Sequence, residues 1–309
     1  MKQPLKLRLS KKKRFVPLFL LMFPGLLYLS INNYIPMFGL FIAFKDINFA
    51  QGIWGSDWVG FRNFEYLFST RDAWVITRNT ILYNSAFIVF TMVAALALAI
   101  LLNEVKNKLL ARFYQSVVLL PYLISMVIIS YLVFAVFSTR TGLMNQTILP
   151  LLGLDQVSWY TEAMHWPWIL TSVKVWNDVG FFTVILFAAV IGISNEYYEA
   201  AKLDGATKWQ QIRYITLPSI APVIVMLVLI GIGKIFYSDF GLFYVVPMDS
   251  GPLYSTTNVI DTYVFRGLMQ LGDISMSAAA GFYQSIVGFV LVVISNWLVR
   301  RKNKENALF

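Results

Sequence analysis

A single histidine, His165, and no cysteine are what the 309 residues offer for metal or thiol chemistry. Disulfides, thiolate catalysis and cysteine–zinc sites are therefore excluded. No nucleophile stands in a pattern with a base, which argues against an enzyme. A phosphate-cradling Walker A loop requires G-x-x-x-x-G-K-[ST]. The one Gly-Lys pair, Gly233–Lys234, is followed by Ile235 and has Val228 where the first glycine belongs. What remains is recognition chemistry. Lys174, Asp178, Lys234 and Asp239 lie inside long apolar stretches, where a charge is costly and is by default a functional candidate. Lys174 and Asp178 are four residues apart, share a helix face and can pair with each other. Lys234 and Asp239 are five apart and do not share one. Lys234 therefore needs a partner on another helix, a route to the interface or a wet cavity.

The elements that must position these charges are membrane spans. The chain is 58% hydrophobic and only 13% charged, against about 25% charged in soluble domains, and its mean hydropathy is +0.65. The fold class expected is all-α: a polytopic transmembrane helical bundle. Six stretches reach the ~20 apolar residues a crossing needs: residues 15–38, 79–102, 113–137, 168–193, 217–239 and 281–299. The first follows a basic tail but has no small-x-small cleavage pattern after it, so it reads as a retained span. Pro24–Gly25 is expected to kink it, and Pro218 and Pro222 to open the fifth. The organisation expected is a basic tail at 1–14, one six-span membrane domain at 15–300 containing a loop at 194–216, and a tail at 301–309.

Lysine and arginine orient the bundle. Lys2 to Arg14, Lys106 to Arg112, Lys202 to Arg213 and Arg300 to Lys304 carry most of them, all on one side. The positive-inside rule puts both termini and the loop at 194–216 in the cytoplasm. The net charge of +9 thus reads as cytoplasmic ends lying near anionic headgroups, not as nucleic-acid binding. The opposite loops hold Trp54, Trp58, Phe61, Phe64 and Tyr66, then Trp159, Trp166 and Trp168, as an aromatic belt or a platform for an external partner. His165 stands in this belt as an ordinary surface residue.

Depth brings the charges together. Lys174 lies roughly 9 Å below the outer end of span four and Lys234 roughly 26 Å up span five, at about 1.5 Å per residue. Tyr83, Asn84, Trp176, Asn177, Tyr237, Tyr283 and Gln284 fall in the same outer half. Aromatic faces can cover the C–H patches of a sugar while amides take its hydroxyls. Two lysines at this depth would favour an acidic sugar. The plainer alternative is span ends that are polar because they are ends, with snorkelling lysines.

The loop "ISNEYYEAAKLDGATKWQQIRYITLPSIAP" interrupts two of the most apolar stretches. Ser194 or Asn195 can cap a helix whose first turn holds Glu196. Gly205 can end it in the left-handed conformation. A second short helix over 207–215 can follow, with Pro218 marking the start of span five. Ala200 and Ala201 would leave one face bare for close approach by a soluble partner, ringed by Glu199, Lys202 and Asp204.

Glu199-Ala200-Ala201, three residues, Gly205, nine residues, Ile215, one residue, Leu217-Pro218 resembles the EAA signature of permease subunits of ABC importers. "YIPMFGLFIAFKDINFAQGIWGSDWVGFRNFEYLF" and "RNTILYNS" are similar to the branch that imports oligosaccharides and uronate-containing polysaccharide fragments. The resemblance implies the type I importer permease fold in a bacterial cell membrane, with the loop as a coupling helix. It implies two ATPase subunits that bind ATP and Mg in this chain's stead, a second related permease forming a heterodimer, and an external solute-binding protein. A permease for phosphate, polyamine or peptide, and an ATP-independent secondary transporter, remain alternatives.

Overall fold

The computed structural model describes residues 11–302. The basic tail before residue 11 and residues 303–309 of the C-terminal tail lie outside the described residues. Among the described residues, five helices are long and apolar enough to cross a membrane, and a bent helix pair supplies a sixth crossing when counted as one span.

Helix α1 (Lys11–Leu29) runs unbroken through Pro17 and Pro24. Pro24–Gly25 does not end the helix; it gives way to a wide turn at Ser30–Tyr34, after which the helical run tightens and continues to Phe44. Residues 15–38 of this span are exposed on all sides within the single chain. The external segment that follows is anchored by Phe44, whose ring meets Trp58, Phe61, Phe64 and Phe282. A two-residue strand pair, β1 (Lys45–Asp46) and β2 (Asp57–Trp58), and helix α2 (Arg62–Ser69) complete it. Asn63 donates to the carbonyls of Ala43 and Lys45, both at 2.9 Å, closing the turn.

The bundle centres on α3 (Arg71–Asn103) and, further along, α6 (Trp166–Ile191). Ala95 and Ala99, four apart and fully buried, let α3 approach Leu186 and Leu227 closely. Small residues at this spacing are how helices associate where no hydrophobic effect drives them.

Between them the third crossing departs from expectation. It is not one helix over 113–137 but two, α4 (Lys108–Leu119) and α5 (Met126–Phe137), bent by 95°. Pro121 lacks the N–H that would carry the helix through. The freed groups are satisfied locally. Ser125 Oγ accepts from the Ile128 N–H, and Asn177 of α6 donates to the Pro121 carbonyl at 2.7 Å. One turn along from Asn177, Gly180 lies directly against the backbone of Val118 and Leu119.

Helix α7 (Asn195–Leu203) forms the loop at 194–216 with the start of the next helix. The expected separate helix over 207–215 is instead continuous with span five as α8 (Lys208–Gly233). A wide turn at Ile212–Thr216 sets up Pro218 without breaking the run. Span five then stops at Gly233, so Asp239 lies beyond the helix, contrary to the expected 217–239. The outer loop carries left-handed residues Met248 and Asp249 (φ 54° and 46°). Arg266 holds them: it bonds Asp249 Oδ1 at 2.6 Å and covers the Tyr254 ring at 4.1 Å. Helix α9 (Ile260–Met269) leads to α10 (Ile274–Lys302), which begins earlier than the expected residue 281.

The close approach at Gly180 carries a prediction. A Cβ there would collide with the Val118 carbonyl and the Leu119 Cα, both backbone atoms that cannot swing aside. Gly180→Ala should cost about 1–3 kcal/mol by overpacking and lower the thermal midpoint of the detergent-solubilised chain. Gly25→Ala, with nothing within 4 Å, should not lower it. Equal midpoints for Gly180→Ala and the native chain would contradict this seating of the broken span.

Candidate functional site

A cavity of about 390 Å³ opens between α3, α6 and α8. Its polar wall comes from the place where span five stops. Because the helix ends at Gly233, the chain folds back and returns Asp239 to the face of α6. There Lys174 Nζ sits 3.1 Å from Asp178 Oδ2 and 2.9 Å from Asp239 Oδ2. Asp239 uses its other oxygen to accept the Leu242 N–H at 3.2 Å, capping the next turn. Lys174 is thus spent on two carboxylates from two elements. The expectation from spacing covered only the pair within α6.

Lys234 lines the same cavity, and its ammonium group has no hydrogen-bond or ion-pair partner among the described residues. Asn84 shapes the wall beside it by donating to the Ile235 carbonyl at 2.9 Å and to Ser238 Oγ at 3.3 Å. Tyr237 lies half-open on the wall. Thr91, Phe87, Phe182 and Ser238 also line it and were not among the residues expected there. Thr91 Oγ1 is buried without a partner, an unused hydroxyl of the kind that is rare inside folded chains.

Of the expected pathway residues, Asn84, Lys174, Asp178, Lys234, Tyr237 and Asp239 come together. The others do not. Tyr83 is buried among Phe87 and Phe243. Trp176 faces outward from the bundle, and Asn177 is committed to the break in the third crossing. Tyr283 bonds Thr77 at 3.2 Å and packs on Phe68. Gln284 donates to the Phe236 carbonyl at 2.6 Å and to both oxygens of Asp261 at 3.1 Å. Burial pushes the Asp261 carboxyl above the usual carboxylate range, although the Ser238 N–H and the Gln284 amide pull it the other way. His165 packs on Trp159 in the outer loop, 3.5 Å from Glu162, away from the cavity.

At the other end of the bundle, α7 is stopped at both ends. Ser194 Oγ accepts from the Glu196 N–H. Gly205 takes φ +78°, and the Ala206 N–H closes back on the Ala201 carbonyl at 2.8 Å. Thr207 and Gln210 then form a reciprocal capping box at the start of α8. Two side-chain links brace the loop. Tyr198 Oη meets Thr216 Oγ1 at 2.9 Å, and Lys208 grips both oxygens of Glu104, beyond the end of α3, at 2.8 Å.

The faces of α7 separate the expected contact residues. Glu199, Ala200 and Asp204 are exposed, whereas Ala201 is half-buried. Only Ala200 therefore offers the bare patch expected of both alanines. Lys202 lines a second cavity on the side of the spans, with Asn195 and Tyr198. Ile215, Leu217 and Pro218 lie within α8, Pro218 exposed and the other two half-buried.

Comparison with known proteins places this geometry. The family described as binding-protein-dependent transport system inner membrane component matches residues 92–304. Protein LplB of Bacillus subtilis is 34% identical over 293 residues, covering 95% of this chain and 91% of the relative. The polygalacturonan/rhamnogalacturonan transport system permease protein YteP of the same organism is 32% identical, covering 93% and 89%. A crystal structure of a bacterial ABC transporter involved in the import of the acidic polysaccharide alginate superposes with a TM-score of 0.86 at 33% identity, covering 94% of this chain and 97% of that one. The chain belongs to the family of binding-protein-dependent transport system inner membrane components, the permease subunits of ABC importers.

Proposed function

We propose that this chain is the membrane permease subunit of an ATP-driven importer that takes up acidic oligosaccharides by alternating access. The observation that carries the reading is the braced loop: a short helix, capped at both ends, tied to spans two and five, and presenting Glu199, Ala200 and Asp204 outward. A segment built this way can bear force, which a floppy connection cannot. Its cytoplasmic placement follows from the basic residues on the same side. Two ATPase subunits would dock there and bind ATP and Mg. A related second permease would complete the pathway, and a solute-binding protein would deliver substrate outside. A crystal structure similar to this chain is described as in complex with an alginate pentasaccharide-bound periplasmic protein.

The cavity supports the acidic substrate. Lys174 is neutralised by Asp178 and Asp239, so Lys234 is the cation on this wall left to meet a uronate carboxylate. Tyr237 can cover an apolar sugar face next to it. The two lysines thus have different work: Lys174 holds the returning chain in place, and Lys234 selects.

The two roles separate experimentally. Lys234→Gln should lower uptake of acidic oligosaccharides several-fold and spare neutral ones; equal loss for both would remove the selective role. Lys174→Met leaves two carboxylates facing each other and should cost about 1–3 kcal/mol of stability. Removing both charges as well, in Lys174→Met/Asp178→Asn/Asp239→Asn, should recover most of that loss in a thermal melt, because the penalty lies in the unpaired charge. Gly205→Pro cannot adopt φ +78° and should abolish both transport and co-purification of an ATPase; intact transport would exclude the loop from coupling.

A further inference from the structure

The cavity beneath α7 is unexplained by docking on the loop's outer face. It measures about 310 Å³ and lies between α7, the ends of α3 and α6, and the first turns of α8. Its walls have two characters. Ile100, Val190 and Ile191 form an apolar side where the spans end. Lys106, Lys202, Asn103 and Asn195 form a polar side, and the side chains of these four have no hydrogen-bond or ion-pair partner among the described residues. The third lysine, Lys208, is already held by Glu104, which also neutralises the one carboxylate on the wall. Two free ammonium groups and two free amides therefore converge on one polar volume.

That set of donors fits a phosphate. Lysines supply charge and the amides supply oriented N–H groups, while no unpaired acid repels the guest. The apolar side argues for a source. Ile191 and the neighbouring Leu101 are 60% and 63% exposed, on the outer surface of the spans next to the cavity. Acyl chains lying on that surface would put a headgroup phosphate at the height of the lysines. We infer that this cavity binds the phosphate of an anionic phospholipid headgroup. The bound phosphate joins Lys202 and Asn195 of the loop to Lys106 and Asn103 at the end of span two, parallel to the Glu104–Lys208 link. Lipid charge then tunes how stiffly the loop is tied to the bundle. The proposed orientation decides only which leaflet supplies the lipid; binding itself does not depend on it.

The test uses the full chain, delipidated in neutral detergent and titrated by native mass spectrometry. The probes are dioleoylphosphatidylglycerol, dioleoylphosphatidylcholine and inorganic phosphate. The native chain should retain phosphatidylglycerol in preference to phosphatidylcholine. Lys106→Gln/Lys202→Gln should weaken that binding by about tenfold or more, as expected for losing two charge-assisted contacts. Lys106→Arg/Lys202→Arg should keep it, which also reports that the site still folds. Arg71→Gln/Arg140→Gln removes the same charge from the opposite end of the bundle and should have little effect. Equal weakening by that variant, or no preference for the anionic lipid, would overturn the site. Saturable inorganic phosphate binding that is lost in Lys106→Gln/Lys202→Gln, without lipid preference, would uphold the anion site and overturn the lipid as its source.

Discussion

An unpaired peptide group or charge inside hydrocarbon costs several kcal/mol, because no water is there to replace the missing partner. Each departure from regular helix in this bundle is arranged around that cost. Where Pro121 breaks the third crossing, Asn177 reaches across from α6 to take up a carbonyl, and Gly180 brings the two backbones into contact. Where span five ends early at Gly233, the chain that leaves it returns Asp239 to Lys174. Lys174, which has Asp178 on α6 itself, thereby acquires a second carboxylate partner. The cavity exists because of that return: it is the space between a helix that stops and a segment that comes back.

The same economy explains which groups are free. Lys174, Asp178, Asp239, Asn84 and Asn177 all have structural bonds. Lys234 and the Thr91 hydroxyl do not, and both line the cavity. In a bundle that satisfies its polar groups so fully, groups left without partners on a shared wall are the ones available to a guest. The loop at 194–216 follows a related logic in water. Its caps and its two braces, Tyr198–Thr216 and Glu104–Lys208, leave little freedom between its outward face and the spans. A displacement applied at Ala200 has a short path to α3 and α8.

Much of this was legible in the residues, for physical reasons that can be named. Spans are long apolar runs, and lipid enforces the length. Caps are local, so Ser194 and Gly205 declared the loop without reference to anything distant. The break at Pro121 was missed because averaged hydropathy runs straight through it, although a proline deep in a span was signal enough. The end of span five was missed for the same reason: Ile235 and Phe236 keep the run apolar after the helix has stopped. Tyr83, Trp176, Asn177, Tyr283 and Gln284 were expected at the cavity on depth alone. Depth places a residue along a helix but not around it, and each of these points toward a core, a neighbour or the outside. Lys202 and Ala201 were expected with Ala200 in one patch on the signature's short helix; the helical turn half-buries Ala201 and brings Lys202 to the second cavity.

The central claim is that the outward face of α7 meets an ATPase and that its inward face does not. The chain has no native cysteine, so one introduced at Ala200 or at Ala201 is unique within it. Each variant, labelled with a benzophenone maleimide in the assembled transporter, can be irradiated with and without nucleotide. Ala200→Cys should give a covalent product with the ATPase subunit, and Ala201→Cys should not. An Ala200→Cys protein that captures no ATPase in any nucleotide state, while the assembly still transports, would contradict the account.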